Sequence, residues 1–203
     1  MELRNDEYIT IGKPSEGIYK EKGSRFLSFA YNVSSADEAK AIIAECDNEY
    51  HDARHCCYAW KLIGESDYKV SDDGEPSGTA GRPILGQILS AGLSNVLIVV
   101  IRYFGGIKLG TGGLIVAYKT ASADALANAT TEVRTLRSQF NVTFPYLAMN
   151  DVMRTVKDCQ PTIVSQQFDN DCAMVLDIRR GDAKTLLARL SDIDGVTVEK
   201  INA

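Results

Sequence analysis

Six consecutive residues, Val96-Leu97-Ile98-Val99-Val100-Ile101, are apolar without a break. The run falls far short of the ~20 residues that a membrane-spanning helix needs. An uninterrupted run of this length is what a strand covered on both faces requires. Residues 95–104 are therefore predicted to form a strand at the centre of a sheet, and the rest of the chain must supply its neighbours. Residues 8–12, 17–22 and 25–32 alternate as short strands, with Gly23-Ser24 as a turn. A helix follows, capped by Ser34 or Ser35, with Glu38 in its first turn and Ala39, Ile42, Ile43 and Cys46 on one face. Residues 54–63 alternate again, with Cys56, Tyr58 and Trp60 on one side and His55, Cys57 and Ala59 on the other. A polar loop over 71–78 leads to a helix over 79–91. After the central strand, a glycine-dense turn over 105–113 precedes a long helix over 114–129 with an Ala-rich face.

The texture changes near residues 130–136. Strands over 137–145, 162–168, 172–180 and 196–201 alternate with helices over 147–159 and 182–192, and a hairpin turns at Asp169-Asn170-Asp171. The order β-α-β-β-α-β in about 70 residues is the ferredoxin-like plan. The chain is thus expected to be an α+β protein of two domains, 1–134 and 135–203.

Composition excludes several function classes. The 203 residues carry 22 Lys and Arg against 27 Asp and Glu, a formal charge of −5, and neither domain is basic. A protein that coats nucleic acid non-specifically neutralises phosphates over a broad surface, so that class is excluded, whereas a local basic patch is not. Five cysteines without a CxxC pair form no disulfide framework, which suits a reducing compartment. The opening residues lack the apolar core of a signal peptide, so a soluble cytoplasmic protein with no membrane partner is expected.

Residues with potential chemistry fall in three stretches of the first domain. In His51-Asp52-Ala53-Arg54-His55-Cys56-Cys57, the two histidines are spaced for a metal on a helix. In an extended strand, however, their rings would stand ~13 Å apart. A cysteine nucleophile would need a base and an electropositive setting. In the stretch from Ser71 to Pro83, three carboxylates, Asp72, Asp73 and Glu75, crowd four positions. They require a cation, an arginine or hydrogen-bond donors unless solvated. Thr79 or Ser77 can cap the helix that follows. The third stretch runs from Arg102 to Leu114 and holds Gly105, Gly106, Gly110, Gly112 and Gly113. It follows a buried strand and precedes a helix, the setting in which backbone amides and a helix dipole bind phosphate, with Arg102 and Lys108 as cations. It lacks both the GxxxxGK[ST] and the GxGxxG patterns. Packing of helix on sheet is the alternative use of such glycines.

Together the segments Asp52-Ala53-Arg54-His55-Cys56, Ser71-Asp72-Asp73-Gly74-Glu75-Pro76-Ser77-Gly78-Thr79-Ala80-Gly81 and Arg102-Tyr103-Phe104-Gly105-Gly106, with Leu109-Gly110 and Gly112-Gly113-Leu114, resemble the Impact/YigZ family. The match covers roughly residues 16–127, and the βαββαβ tail resembles the second domain of bacterial members. The sequence departs from the family at Cys56, where a second consecutive histidine would follow His55. The resemblance implies a first domain like domain IV of elongation factor G, a β/α sandwich, and a second like its domain V. It also implies a link to translation, which eukaryotic Impact proteins regulate through general amino-acid control.

Two functions follow as expectations. The first is a translation-associated regulator that binds ribosome, structured RNA or a translation factor through a groove between the second and third stretches. Arg54, Thr79, Arg82, Arg102, Gly105, Gly106, Lys108, Gly110, Gly112 and Gly113 would meet phosphate there. The alternative is an enzyme acting on a phosphorylated or metal-bound small molecule, with His55, Asp72, Asp73 and Glu75 as candidate catalytic groups. No complete catalytic set can be assembled from these residues, so binding ranks ahead of catalysis, and no cofactor or resident metal is expected.

Overall fold

The computed structural model of the chain describes residues 3–64, 67–169 and 171–201. It divides into two compact units, one spanning Ile9–Val133 and the other joining the residues up to Tyr8 with those from Arg134 onwards. The opening residues therefore belong with the second unit rather than with the expected 1–134 domain. The physical reason is a clamp: Arg179 donates from Nε and Nη2 to both carboxylate oxygens of Asp6 at 3.1 and 3.0 Å, and from Nη2 to Glu7. The Leu136 amide also donates to the Asp6 carbonyl.

Among the described residues, seven strands and three helices run from β1 to β7. They are β1 (Glu7–Ile11), β2 (Ser15–Glu21), β3 (Ser24–Asn32), α1 (Ala36–Glu49), β4 (His55–Lys61), β5 (Tyr68–Ser71), α2 (Gly81–Ser90), β6 (Val96–Tyr103), α3 (Gly110–Ala127) and β7 (Thr131–Thr135). Five strands form one sheet in the order β2-β3-β6-β4-β5, with every neighbouring pair antiparallel. The apolar run is the central strand β6, and its alternation feeds two layers. Val96, Ile98 and Val100 enter a core with Ile84 and Ile88 of α2 and Ala117, Tyr118, Ala121 and Ala125 of α3. Leu97, Val99 and Ile101 pack on the opposite face with Ala39 and Cys46 of α1. α1 starts where the serines indicate. The Ser35 hydroxyl accepts from the Glu38 amide, and the Glu38 carboxylate accepts from the amide and hydroxyl of Ser34, a reciprocal cap. β1 and β7 pair as a two-stranded ribbon.

The second unit continues with β8 (Arg137–Pro145), a single 3₁₀ turn (Tyr146–Ala148), α4 (Met149–Cys159), β9 (Thr162–Phe168), β10 (Asp171–Arg179), α5 (Ala183–Ser191) and β11 (Thr197–Ile201). Its antiparallel sheet has the order β11-β8-β10-β9, the ferredoxin-like arrangement. Val152 and Val156 of α4 and Leu186 and Leu190 of α5 cover Phe140, Val142, Phe144, Met174 and Leu176 on one face of the sheet. The expected hairpin turn includes Asn170, which lies outside the described residues.

Three further expectations shift. The helix expected from residue 114 begins at Gly110, so Gly110, Gly112 and Gly113 form its first turn rather than a loop. α2 begins at Gly81 rather than at Thr79. β5 and β7 are strands that polar composition had concealed.

Candidate functional site

The sheet register sets three residues abreast at one end of the face that α2 and α3 cover. Arg102 on β6 stands opposite Phe26 on β3 and His55 on β4. It continues the series Val96, Ile98, Val100, so a guanidinium takes the place of the next apolar side chain. Arg102 is only 5% exposed. Its Cζ lies 5.4 Å from the ring centre of Phe26 and 5.6 Å from that of Phe104, within cation–π range of both. Nη1 donates to Glu75 Oε1 at 2.5 Å. The buried Tyr118 hydroxyl donates to the same oxygen at 2.8 Å, and His55 Nε2 lies 3.8 Å from it. Arg102 Nε has no hydrogen-bond partner among the described residues. Buried donors left unsatisfied are rare because each one costs its lost hydration.

These groups border a cavity of about 430 Å³, lined by Arg54, His55, Glu75, Pro76, Arg102, Phe104, Lys108, Leu109, Gly110, Thr111 and Leu114. The side chains of Arg54 and Lys108 have no ion-pair partner among the described residues. Gly110 and Thr111 open α3, which has no side-chain cap. The first four amides of a helix lack intrahelical acceptors, so this end of α3 presents free N–H groups and the positive end of a helix dipole to the cavity. A larger depression, about 690 Å³, lies in the second unit. Of its four charged residues, Asp151 and Arg154 pair with each other, and Asp192 and Asp194 leave the lining acidic.

The three crowded carboxylates separate into distinct roles. Asp72 accepts from the amides of Gly78, Ala80 and Gly81, and so caps α2, a task expected of Thr79 or Ser77. Burial alone would raise its pKa, but the three N–H donors outweigh burial and hold the carboxyl below the usual range. Asp73 accepts from the Cys56 amide at 2.6 Å. Its carbonyl lies 2.6 Å from His55 Nδ1, and since a carbonyl can only accept, that nitrogen carries the proton. Glu75 alone of the three reaches the cavity. Two of the four candidate catalytic groups, Asp72 and Asp73, are thus engaged in holding backbone.

Among the expected phosphate contacts, Arg54, Arg102, Lys108 and Gly110 line the cavity, and the others lie elsewhere. Thr79 is buried and donates its hydroxyl to the Pro76 carbonyl. Arg82 acts electrostatically on Asp72 instead. Gly105 serves packing: a Cβ there would sit 1.9 Å from the backbone carbon of Gly23, so only glycine lets the two turns meet. Gly106 is exposed with a φ of +86°, and Gly112 and Gly113 lie in the first turn of α3 without lining the cavity. Phe104 and Tyr118 are the residues that motif reasoning left without a role.

Neither adjacent cysteine sits in the exposed, electropositive setting that a thiolate nucleophile needs, since both are buried. Burial pushes the Cys56 thiol up to about 12 and raises Cys57 as well, against the effect of its contact with the Tyr118 oxygen at 3.3 Å. Among the described residues, no group of three or more His, Cys, Asp or Glu side chains could hold a metal ion. Nor is any helix among them long and apolar enough to cross a membrane.

The Impact N-terminal domain family model matches residues 22–126. The chain is also 30% identical over 190 residues to the IMPACT family member YigZ of Escherichia coli K12, across 92% of this chain and 93% of the relative. The chain belongs to the Impact family. Another family member, YvyE of Bacillus subtilis, is 36% identical over 155 residues, covering 75% of this chain and 71% of its own length. A crystal structure described as that of a hypothetical protein matches 97% of this chain and 98% of its own, with a TM-score of 0.72 and 29% identity. The family match spans all the residues that line the cavity.

Proposed function

We propose that this Impact-family chain is a translation-associated binding protein that contacts RNA, on or off the ribosome, through the cavity at the start of α3. The observation that carries this reading is the floor of the cavity. The buried Arg102 guanidinium lines the same space as Arg54, Lys108 and the uncapped end of α3. Cations and free backbone amides converging in this way are what a phosphate group requires. The link to translation is what family resemblance implies. An overall charge of −5 fits a local contact and not a broad one.

The test is binding of the purified full chain to ribosomes and to structured RNA, wild type beside Arg54→Ala and Lys108→Ala. Both side chains belong to exposed residues, so folding is expected to survive their removal. Affinity is expected to fall about five- to tenfold in each variant. Equal binding by all three proteins, or none at low salt, overturns the proposal.

A further inference from the structure

We infer that the ligand of this cavity is a phosphate monoester carried on a nucleoside, a terminal phosphate as opposed to one inside a chain; this deepens the phosphate reading and rests on it. Access is the first argument. Arg102 lines the cavity yet is only 5% exposed, so a phosphate reaches its guanidinium only by entering the cavity. A phosphate within a duplex is held on both sides in a regular helix and cannot leave its surface, whereas a chain end or a free nucleotide can enter.

Charge is the second argument. Arg54, Arg102 and Lys108 set three positive charges against the single carboxylate of Glu75, whose Oε1 is already occupied by Arg102 and Tyr118. The surplus of two matches a monoester, which carries about −1.5 to −2 at pH 7, better than a diester with its single charge. The third argument is the wall. Phe104 packs against the Arg102 guanidinium yet remains 46% exposed, a platform on which a base can stack. The cavity, about 430 Å³, also falls within the roughly 300–1,000 Å³ of pockets that enclose a small organic ligand, more than orthophosphate alone would fill.

The shared chemistry, a nucleoside monophosphate, has two sources: the 5′ end of a single-stranded RNA and a free mononucleotide. Calorimetric titration of the full chain with AMP, adenosine and inorganic phosphate tests it, beside one RNA oligonucleotide prepared with a 5′-phosphate and with a 5′-hydroxyl. AMP is expected to bind at least tenfold tighter than adenosine or phosphate. Lys108→Ala should weaken AMP about tenfold, and Phe104→Ala should cut the preference for AMP over phosphate about tenfold. A tenfold gain from the 5′-phosphate on RNA assigns the site to chain ends. AMP binding without any RNA binding assigns it to free mononucleotides, upholding the monoester and removing the RNA reading. Equal binding of both RNAs with none of AMP overturns the monoester and leaves RNA contact standing. No binding by any probe overturns both.

Discussion

Removing the carboxylate of Glu75 would strand the Arg102 guanidinium between two aromatic rings with its main counter-charge gone. Breaking a buried pair in this way costs about 3–5 kcal/mol, because the remaining charge stays desolvated. Urea denaturation of Glu75→Ala is therefore expected to show a loss of that size. Tyr118→Phe removes only the hydroxyl that donates to the same oxygen, and a loss of about 2 kcal/mol is expected. Equal stability in both variants would mean that the carboxylate is solvated. Thiol chemistry gives a second residue-scale prediction. With Cys46, Cys56, Cys57 and Cys172 buried, a thiol reagent at about pH 8 should modify Cys159 alone before unfolding. Rapid labelling of Cys56 or Cys57 would restore the nucleophile reading. Glu75, His55 and Arg102 were legible in the sequence as chemistry-bearing residues. What separates Glu75 from Asp72 and Asp73 was not, since it depends on a turn with positive φ at Asp73 and Gly74 that points adjacent carboxylates different ways. Tyr118 was hidden by its setting, because an aromatic residue on an Ala-rich helix face looks like core filling.

At the scale of elements, β6 was legible because six apolar residues in a row leave a strand no other place than the middle of a sheet. Its last inward position was less so, because only the register with β3 and β4 reveals that Arg102 follows Val100 onto the covered face. The early start of α3 escaped notice for an energetic reason. Glycine is ~1 kcal/mol worse than alanine inside a helix, so Gly110, Gly112 and Gly113 read as loop. The cap of α2 escaped notice because its acceptor, Asp72, lies eight and nine residues from the amides of Ala80 and Gly81. Asp72→Ala should cost about 2 kcal/mol at neutral pH, measured by chemical denaturation. The pH dependence has a definite sign. The folded-state pKa lies below the unfolded value of 3.8, so the stabilisation is present above 3.8 and fades as pH falls through the folded value. The gap between wild type and Asp72→Ala is therefore expected to hold down to about pH 4 and to shrink as pH falls below 3.8. A gap that widens on acidification would contradict this account of the cap.

For the whole molecule, the order of elements in the second unit was readable to within a residue or two, because each strand and helix there has its own period and clear breaks. The first unit needed its motifs, since short strands leave weak periodicity and two of them are largely polar. The opening residues were misplaced because a clamp from Arg179 acts across more than 170 residues of sequence. Binding through a handful of cations on an acidic chain has a measurable signature. The logarithm of the binding constant falls with the logarithm of salt concentration by about 0.7–0.9 per phosphate neutralised. The most direct test of the central claim is this salt series on ribosomes, with wild type beside Lys108→Ala. A slope of about −1 to −2, reduced by nearly one unit in the variant, is the predicted result. Binding that is insensitive to salt and unchanged in Lys108→Ala would contradict it.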